Sequence, residues 1–294
     1  MKYPYFPGCS LECTAHDYDV SARAVMKALD NELDELPGWN CCGATGAEVL
    51  SHLLSVALPA RNLAKAQALG GRGAGQIVAT CSSCYFNLFR VNALMANDSE
   101  LVHDVNAVLD EVGLHYDGKL RVRHLLELLV TDVGIKTIAR RAQRRLGGIR
   151  VAPYYGCLVV RPYAEFDGPD LPTSMDKLLT ALGASVVPYA MKTRCCGGVL
   201  MTTQPEIALK LVSDLLAPVR DVDCVVTVCP LCQLNLEAYQ RQVAGKIGAP
   251  VHVPILYFTQ LMGLAFALPE EDLKLKANLG GAGKLVKRLE QMSA

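Results

Sequence analysis

The apolar positions of this chain alternate between two spacings, and the alternation is written twice. Tyr3 to Phe6 is an apolar run of strand length, and Ala22 to Leu29 follows with the spacing of a helix. A long helical pattern from Ala47 to Leu69, a second apolar run from Gln76 to Thr80 and a helix opening at Cys81 complete the series. The second half repeats it with a strand run at Val151 to Tyr155, a helical pattern at Pro205 to Leu216, a strand run at Cys224 to Val228 and a helix opening at Cys229. Strands alternating with helices predict an α/β fold of two tandem, pseudo-symmetric domains, each a small parallel sheet flanked by helices. The division falls near Gly147-Gly148, giving units of 1–148 and 149–294.

Other stretches add detail. An additional helical segment is expected over Ser99 to Arg145; its Arg140, Arg141, Arg144 and Arg145 read as a solvated face, or else a docking surface. The longest apolar run, Val251 to Leu268, carries His252, Pro254 and Gln260, so it reads as a buried strand followed by a core helix and not as a membrane span. Two glycine stretches, 70–75 and 280–284, lack the context of a phosphate loop: one precedes its strand, and the other has no Ser or Thr after Lys284. Both are expected to be turns.

Cysteine spacing fixes the repeat. In the first half Cys9 is followed after 31 residues by Cys41-Cys42, and after 38 more by Cys81-Ser82-Ser83-Cys84. In the second half Cys157 is followed after 37 residues by Cys195-Cys196, and after 32 more by Cys229-Pro230-Leu231-Cys232. The offset between copies is 148 at the first cysteine, 154 at the pair and 148 again at both cysteines of the C-x-x-C, as a change of loop length would produce. Flanking residues repeat too, with Cys41-Cys42-Gly43 set against Cys195-Cys196-Gly197. Each Cys-Cys-Gly is expected in a loop, and all ten cysteines at or beside the carboxyl ends of strands, where open α/β sheets bind cofactors.

Composition narrows the chemistry. With 51% hydrophobic residues and 29 basic against 29 acidic side chains, the chain is neither disordered nor a carrier of the broad basic field of a nucleic-acid binder; no nucleic acid is expected, and no direct membrane span. The start, MKYPYFPGC, has no export pattern, so a cytoplasmic protein is expected. Twelve cysteines in a reducing compartment then point to metal binding or redox chemistry and not to disulfides.

Thiolates are soft ligands for zinc, copper(I) or iron–sulfur clusters. A zinc site needs four, and ordinary cubane clusters also take four, commonly in closely spaced runs, whereas each half offers five. Adjacent cysteines diverge from one backbone and can reach different irons of one cluster. Cys13 and Cys224 do not recur in the other half and are expected to be structural thiols. The six histidines fit no ligand spacing; His16, close to Cys9, is the candidate proton donor among them.

The duplicated pattern, with Pro7-Gly8-Cys9, Asn40-Cys41-Cys42-Gly43, Tyr155-Gly156-Cys157, Cys195-Cys196-Gly197 and Cys229-Pro230-Leu231-Cys232-Gln233, resembles the two CCG (cysteine-rich) domains of the heterodisulfide reductase B-subunit family, which includes bacterial and sulfur-oxidising homologues. The likeness extends to Arg123-His124-Leu125-Leu126, Pro172-Thr173-Ser174-Met175-Asp176 and Pro254 to Leu261. It implies one noncubane [4Fe-4S] cluster on Cys9, Cys41, Cys42, Cys81 and Cys84, and a second on Cys157, Cys195, Cys196, Cys229 and Cys232, with zinc in one half as the open variant. It further implies a sulfur-directed oxidoreductase, a catalytic subunit that reduces, or in reverse forms, a disulfide or related sulfur substrate between the two clusters. The substrate this resemblance implies is a small-molecule or protein-bound disulfide or persulfide. Electrons come from outside, since the chain has no ferredoxin-type run and no dinucleotide fingerprint; the implied partners are a ferredoxin-like C subunit and a flavin-containing A subunit. Two other readings stay open: an electron-relay subunit of a lactate- or glycolate-type oxidase complex, and a zinc-stabilised assembly scaffold.

Overall fold

A computed structural model describes residues 1–44, 46–69, 75–163 and 165–293. Its strands are β1 (Lys2–Phe6), β2 (Glu32–Glu35), β3 (Gln76–Ala79), β4 (Arg121–His124), β5 (Arg150–Tyr154), β6 (Ser185–Val186), β7 (Cys224–Thr227) and β8 (Ile255–Tyr257). They form two four-stranded sheets in the orders β2-β1-β3-β4 and β6-β5-β7-β8, with every neighbouring pair parallel. The repeat is therefore a repeat of topology. Each sheet reverses its winding between the first and third strands, β1 and β3 or β5 and β7, and the crevice at the carboxyl ends of two such strands is where doubly wound sheets place ligands.

β1, β3, β5, β7 and β8 form where the apolar runs predict, whereas β2, β4 and β6 add strands that no apolar run announces. β1, β5 and β7 are buried over nearly their whole length, the signature of parallel strands covered on both faces. Helices Ser82–Asn97 and Pro230–Ala238 open one residue after Cys81 and Cys229. The run 251–268 resolves into β8 and the helix Phe258–Ala265, both wholly buried. No helix among the described residues is long and apolar enough to cross a membrane.

Two expectations are corrected. The pattern Ala47 to Leu69 is two helices, Ala47–Leu50 and His52–Ala68, because Ser51 adopts extended backbone and its hydroxyl accepts from Leu54 N at 3.4 Å, capping the second helix. The segment Ser99 to Arg145 is not continuously helical. It contains the helix Ser99–Asp110, then β4, then Leu125–Leu128, a π-helical turn Leu129–Gly134 and the helix Ile135–Arg141. β4 hides from a hydropathy reading because Arg123, only 1% exposed, is buried as an ion pair: its Nε donates to Glu127 at 2.9 Å and its Nη2 to Asp132 at 2.9 Å. Of the Arg140 to Arg145 group, Arg141 docks on Ala28 O and over the Phe266 ring. The glycine stretch at 280–284 runs as a turn into the helix Gly283–Ser293; the other stretch lies outside the described residues except for Gly75, itself in a turn.

The second half keeps a small core of its own, with Tyr154, Tyr189, Val212 and Val225, but the larger core is shared between the halves. One continuous apolar cluster joins Tyr5, Tyr18 and Leu63 of the first half to Tyr155, Leu178, Tyr257 and Leu289 of the second.

Candidate metal centre between the sheets

Each half builds its thiol set in the same way. β1 ends at Phe6, Gly8 turns the chain, and Cys9 opens the short helix Cys9–Glu12. Gly8 has a positive φ of 76°, and a Cβ there would stand 2.7 Å from Cys84 Sγ; Gly156, with φ 70°, would place one 3.2 Å from Cys232 Sγ. A glycine at both places lets the chain turn left-handed while the second thiol of the C-x-x-C packs against its backbone. The Cys-Cys-Gly segments are loops, and the C-x-x-C pairs lie where β3 and β7 feed their helices.

The ten repeated cysteines form one string across the molecule. Cys9 Sγ lies 3.8 Å from Cys41 Sγ, and Cys42 Sγ lies 3.5 Å from Cys84 Sγ. The thiols of Cys41 and Cys42, Cys84 and Cys81, Cys229 and Cys232, Cys232 and Cys196, Cys196 and Cys195, and Cys195 and Cys157 are neighbours that shift one another's ionisation in turn. The two halves meet at Cys81 and Cys229, whose neighbouring thiols shift one another's ionisation across the interface. Among the described residues no three or more His, Cys, Asp or Glu side chains gather around one metal-ion position; the thiols are strung out instead.

Electrostatics follow that order. Hydrogen bonds from Cys41 and Cys84 hold Cys42 well below the usual thiol range, and bonds from Cys232 and Cys81 do the same for Cys229. Bonds from Cys157 and Cys196 bring Cys195 down to about 2. The donors move the other way: Cys196 is pushed up to about 12, first by Cys195, and Cys84, Cys81 and Cys232 rise through their neighbouring thiols and burial. Packing several thiolates together in a buried site is costly unless positive charge offsets them. Five soft sulfur donors per half in this setting suit a thiolate-bound iron–sulfur group.

Two asparagines that the cysteine pattern alone does not single out hold the Cys-Cys-Gly loops. Asn87 Nδ2 donates to Cys42 O at 3.5 Å and to Cys42 Sγ at 3.8 Å, and Asn235 Nδ2 donates to Cys196 O at 2.6 Å. They stand 148 residues apart, each three places after a C-x-x-C, so the offset that relates the cysteines also marks them. In the second half Gly197 N and Gly198 N donate to Cys195 Sγ at 3.3 Å and Cys196 Sγ at 3.4 Å.

The interface has its own polar seam. Tyr18 Oη donates to Thr80 O at 3.1 Å and to Val228 O at 3.2 Å, the carbonyls directly before Cys81 and Cys229. His124, fully buried, accepts from Leu126 N through Nδ1 at 3.1 Å; its Nε2 has no partner of good geometry, although the Thr80 and Val228 carbonyls are close enough to favour its protonation. Burial outweighs them and lowers His124 to about 4. His16, the expected proton donor, is exposed at the start of the helix His16–Ala28, and a second imidazole, His124, is buried at the interface. Cys224 is a buried strand thiol, raised by burial, as a structural role requires; Cys13 is exposed and packs into no core, contrary to expectation.

A cavity of about 310 Å³ opens over the second-half thiols. Cys157, Cys195, Cys196, Cys229 and Cys232 form its floor, and the first half contributes the start of the helix Ser82–Asn97 to its wall.

Comparison with known proteins agrees with the duplication. A family model described as the cysteine-rich domain CCG matches residues 3–89 and again 151–237. The chain is 33% identical over 97% of its length to the 8-methylmenaquinol:fumarate reductase membrane anchor subunit of Wolinella succinogenes, covering 99% of that protein. It is 30% identical over 94% of its length to the B subunit of the ferredoxin/F420H2-dependent CoB-CoM heterodisulfide reductase of Methanosarcina acetivorans, covering 93% of it. A crystal structure of a hypothetical protein from Helicobacter pylori shares the fold at a TM-score of 0.76 and 14% identity; the match covers 95% of this chain and 52% of that one.

Proposed function

The chain belongs to the heterodisulfide reductase B-subunit family, built on two cysteine-rich CCG domains, and from that premise we propose that it is the iron–sulfur catalytic subunit of a heterodisulfide-reductase-like complex. It is an oxidoreductase acting on sulfur groups. Units 1–148 and 149–294 would each hold one noncubane [4Fe-4S] cluster, the first on Cys9, Cys41, Cys42, Cys81 and Cys84, the second on Cys157, Cys195, Cys196, Cys229 and Cys232. When bound, such clusters supply single electrons at low cost in reorganisation, and two of them match the demand of a disulfide. Two electrons and two protons convert RS–SR′ to RSH and R′SH; the same step reversed forms the disulfide.

The observation that carries this reading is the unbroken line of ten thiols, joined across the interface by Cys81 and Cys229. A substrate bond at that interface lies within reach of both halves. The chain's own residues hold the loops through Asn87 and Asn235 and fix the approach of the two C-x-x-C segments through Tyr18. Electrons would arrive from a ferredoxin-like C subunit and a flavin-containing A subunit, in the cytoplasm, where thiols stay reduced.

Iron, zinc and acid-labile sulfide analysis with EPR on the anaerobically purified complex tests the proposal. About eight irons per chain, matched by sulfide, with a signal that changes when a dithiol or disulfide is added, is the expected result. Zinc in one half would reduce the site to one cluster, and zinc in both without sulfide would replace the enzyme by an assembly scaffold.

The Wolinella relative favours a second reading, an electron-relay subunit coupled to quinol oxidation. Intact clusters that turn over with a quinol and not with any dithiol, disulfide or persulfide would select it.

A further inference from the structure

Tyr5 and Thr80 carry buried hydroxyls that the duplication does not explain. β1 pairs with β3 through Tyr5 and Val78, and β5 pairs with β7 through Pro153 and Val226, so the two copies share one register at an offset of 148 residues. At that offset Pro153 stands in the place of Tyr5 and Val228 in the place of Thr80. The second half builds its thiol set without either hydroxyl, so holding the cysteines is not what requires them.

In the first half they form a hydrogen-bonded line. Tyr5 Oη donates to Asp19 Oδ1 at 2.9 Å; its one proton is used there, so Thr80 is the donor in the 3.2 Å bond between Thr80 Oγ1 and Tyr5 Oη. Tyr5 and Thr80 are wholly buried, whereas Asp19 keeps 14% of its side chain open to solvent. Arg23 fixes Asp19 from the other side, with Nε donating to Oδ2 at 2.8 Å, and lies over the Tyr5 ring at 5.0 Å from its centre. At the inner end Thr80 directly precedes Cys81, the buried residue at which the first half meets the buried Cys229. The line therefore runs from water to the junction of the halves.

Reduction of a disulfide consumes two protons and its formation releases two, and a buried junction gives them no direct access to water. A carboxyl, a phenol and an alcohol in hydrogen-bond contact pass a proton along when each gives one up as it receives another. We propose that Asp19, Tyr5 and Thr80 are a proton relay between solvent and the sulfur substrate. The inference rests on the sulfur reading above. In the oxidative direction the proton of a substrate thiol passes to Thr80 Oγ1 as the Thr80 proton passes to Tyr5 Oη and the Tyr5 proton to the Asp19 carboxylate, which releases it to water. The sulfur keeps its electron pair as a thiolate, and each hydroxyl ends with one proton as it began. In the reductive direction Asp19 takes a proton from water, both hydroxyls turn, and the same transfers run inward to the departing thiolate. Tyr5 and Asp19 act through Thr80, and the relay serves twice per disulfide.

The test is rapid freeze-quench EPR on the anaerobically purified complex mixed with dithiothreitol, whose thiol must lose its proton as the signal forms. Tyr5→Phe and Thr80→Val should form the dithiothreitol-dependent signal about tenfold more slowly, at unchanged final amplitude and iron content. Asp19→Asn, which still accepts from Tyr5 but takes up no proton, should be as slow. Thr80→Ser, which keeps the hydroxyl, should stay within about twofold of the unaltered rate. In steady-state turnover the slow variants should lose about tenfold in kcat with KM within about twofold. An unaltered rate in Tyr5→Phe and Thr80→Val overturns the relay and leaves the sulfur reading intact. Loss of iron or of signal amplitude in step with the rate makes these residues structural and overturns it as well. A signal formed with menadiol and not with dithiothreitol in the unaltered complex removes the sulfur reading, and the relay with it.

Discussion

Tyr18 and Tyr257 stack face to face, with ring centroids 4.0 Å apart and planes 4° from parallel, so an aromatic pair drawn from both halves stands at the junction of the two thiol sets. The hydroxyl of the same Tyr18 reaches the carbonyls that precede Cys81 and Cys229.

Tyr18→Phe keeps the stack and removes that hydroxyl. Two buried carbonyls then lose a donor, although Val228 O retains Ser82 Oγ at 3.4 Å. The variant should lose about 1–3 kcal/mol of stability in anaerobic denaturant titration. Its EPR signal should also differ from that of the unaltered protein; an unchanged signal at lowered stability would confine Tyr18 to a structural role.

Gly8→Ala and Gly156→Ala should differ in severity. Both glycines have positive φ, but the Cβ at Gly8 meets Cys84 Sγ at 2.7 Å, whereas that at Gly156 meets Cys232 Sγ at 3.2 Å. Gly8→Ala should abolish iron binding by the first half, with iron dropping from about eight to about four per chain, and Gly156→Ala should retain a larger share. Equal losses would contradict the geometry.

Cysteines inside and outside the string should separate cleanly. Cys81→Ser should remove the first-half cluster, and Cys13→Ser should leave iron content unchanged. Cys224→Ala should also leave iron unchanged while costing about 1 kcal/mol through the small void left in β7. Iron loss in Cys224→Ala at retained folding would place that thiol among the ligands.

His124 should make stability fall on mild acidification. Its ordinary value is 6.5 and burial lowers it to about 4 in the folded chain, so the unfolded chain takes up the proton first. The contribution is complete above pH 6.5 and is lost progressively below it, amounting to about 1 kcal/mol between pH 7.5 and 5.5. His124→Asn should flatten that slope in denaturant titrations at the two pH values; an unaltered slope would assign the loss to another group.

Much of this was legible in the chain. Strands β1, β3, β5 and β7 are short apolar runs, and Cys9, Cys157 and both C-x-x-C pairs sit just past where those runs end, so the two α/β units and these thiol positions follow from spacing. β4 was not legible, because three of its four residues are Arg121, Arg123 and His124, and the burial of Arg123 depends on Glu127 and Asp132 further along. The break at Ser51 was hidden by helical spacing on both sides, and only the cap reveals it. His16 drew attention by its nearness in sequence to Cys9; His124 is close to the site only because β4 pairs with β3. The contact of Cys81 with Cys229 depends on how the sheets face each other, which no local pattern encodes.

The shared core has a consequence for how such a chain comes to exist. A single repeat, alone, exposes the apolar surface that its partner covers, and its C-x-x-C faces no counterpart. Two separate copies would have to meet in solution, at a rate and occupancy set by their abundance. Joined in one polypeptide, each finds the other at an effective concentration on the order of millimolar, whatever the cell's supply. Duplication followed by fusion therefore removes dosage from the assembly of the interface, and frees the two copies to diverge, one offering a wall and the other a floor.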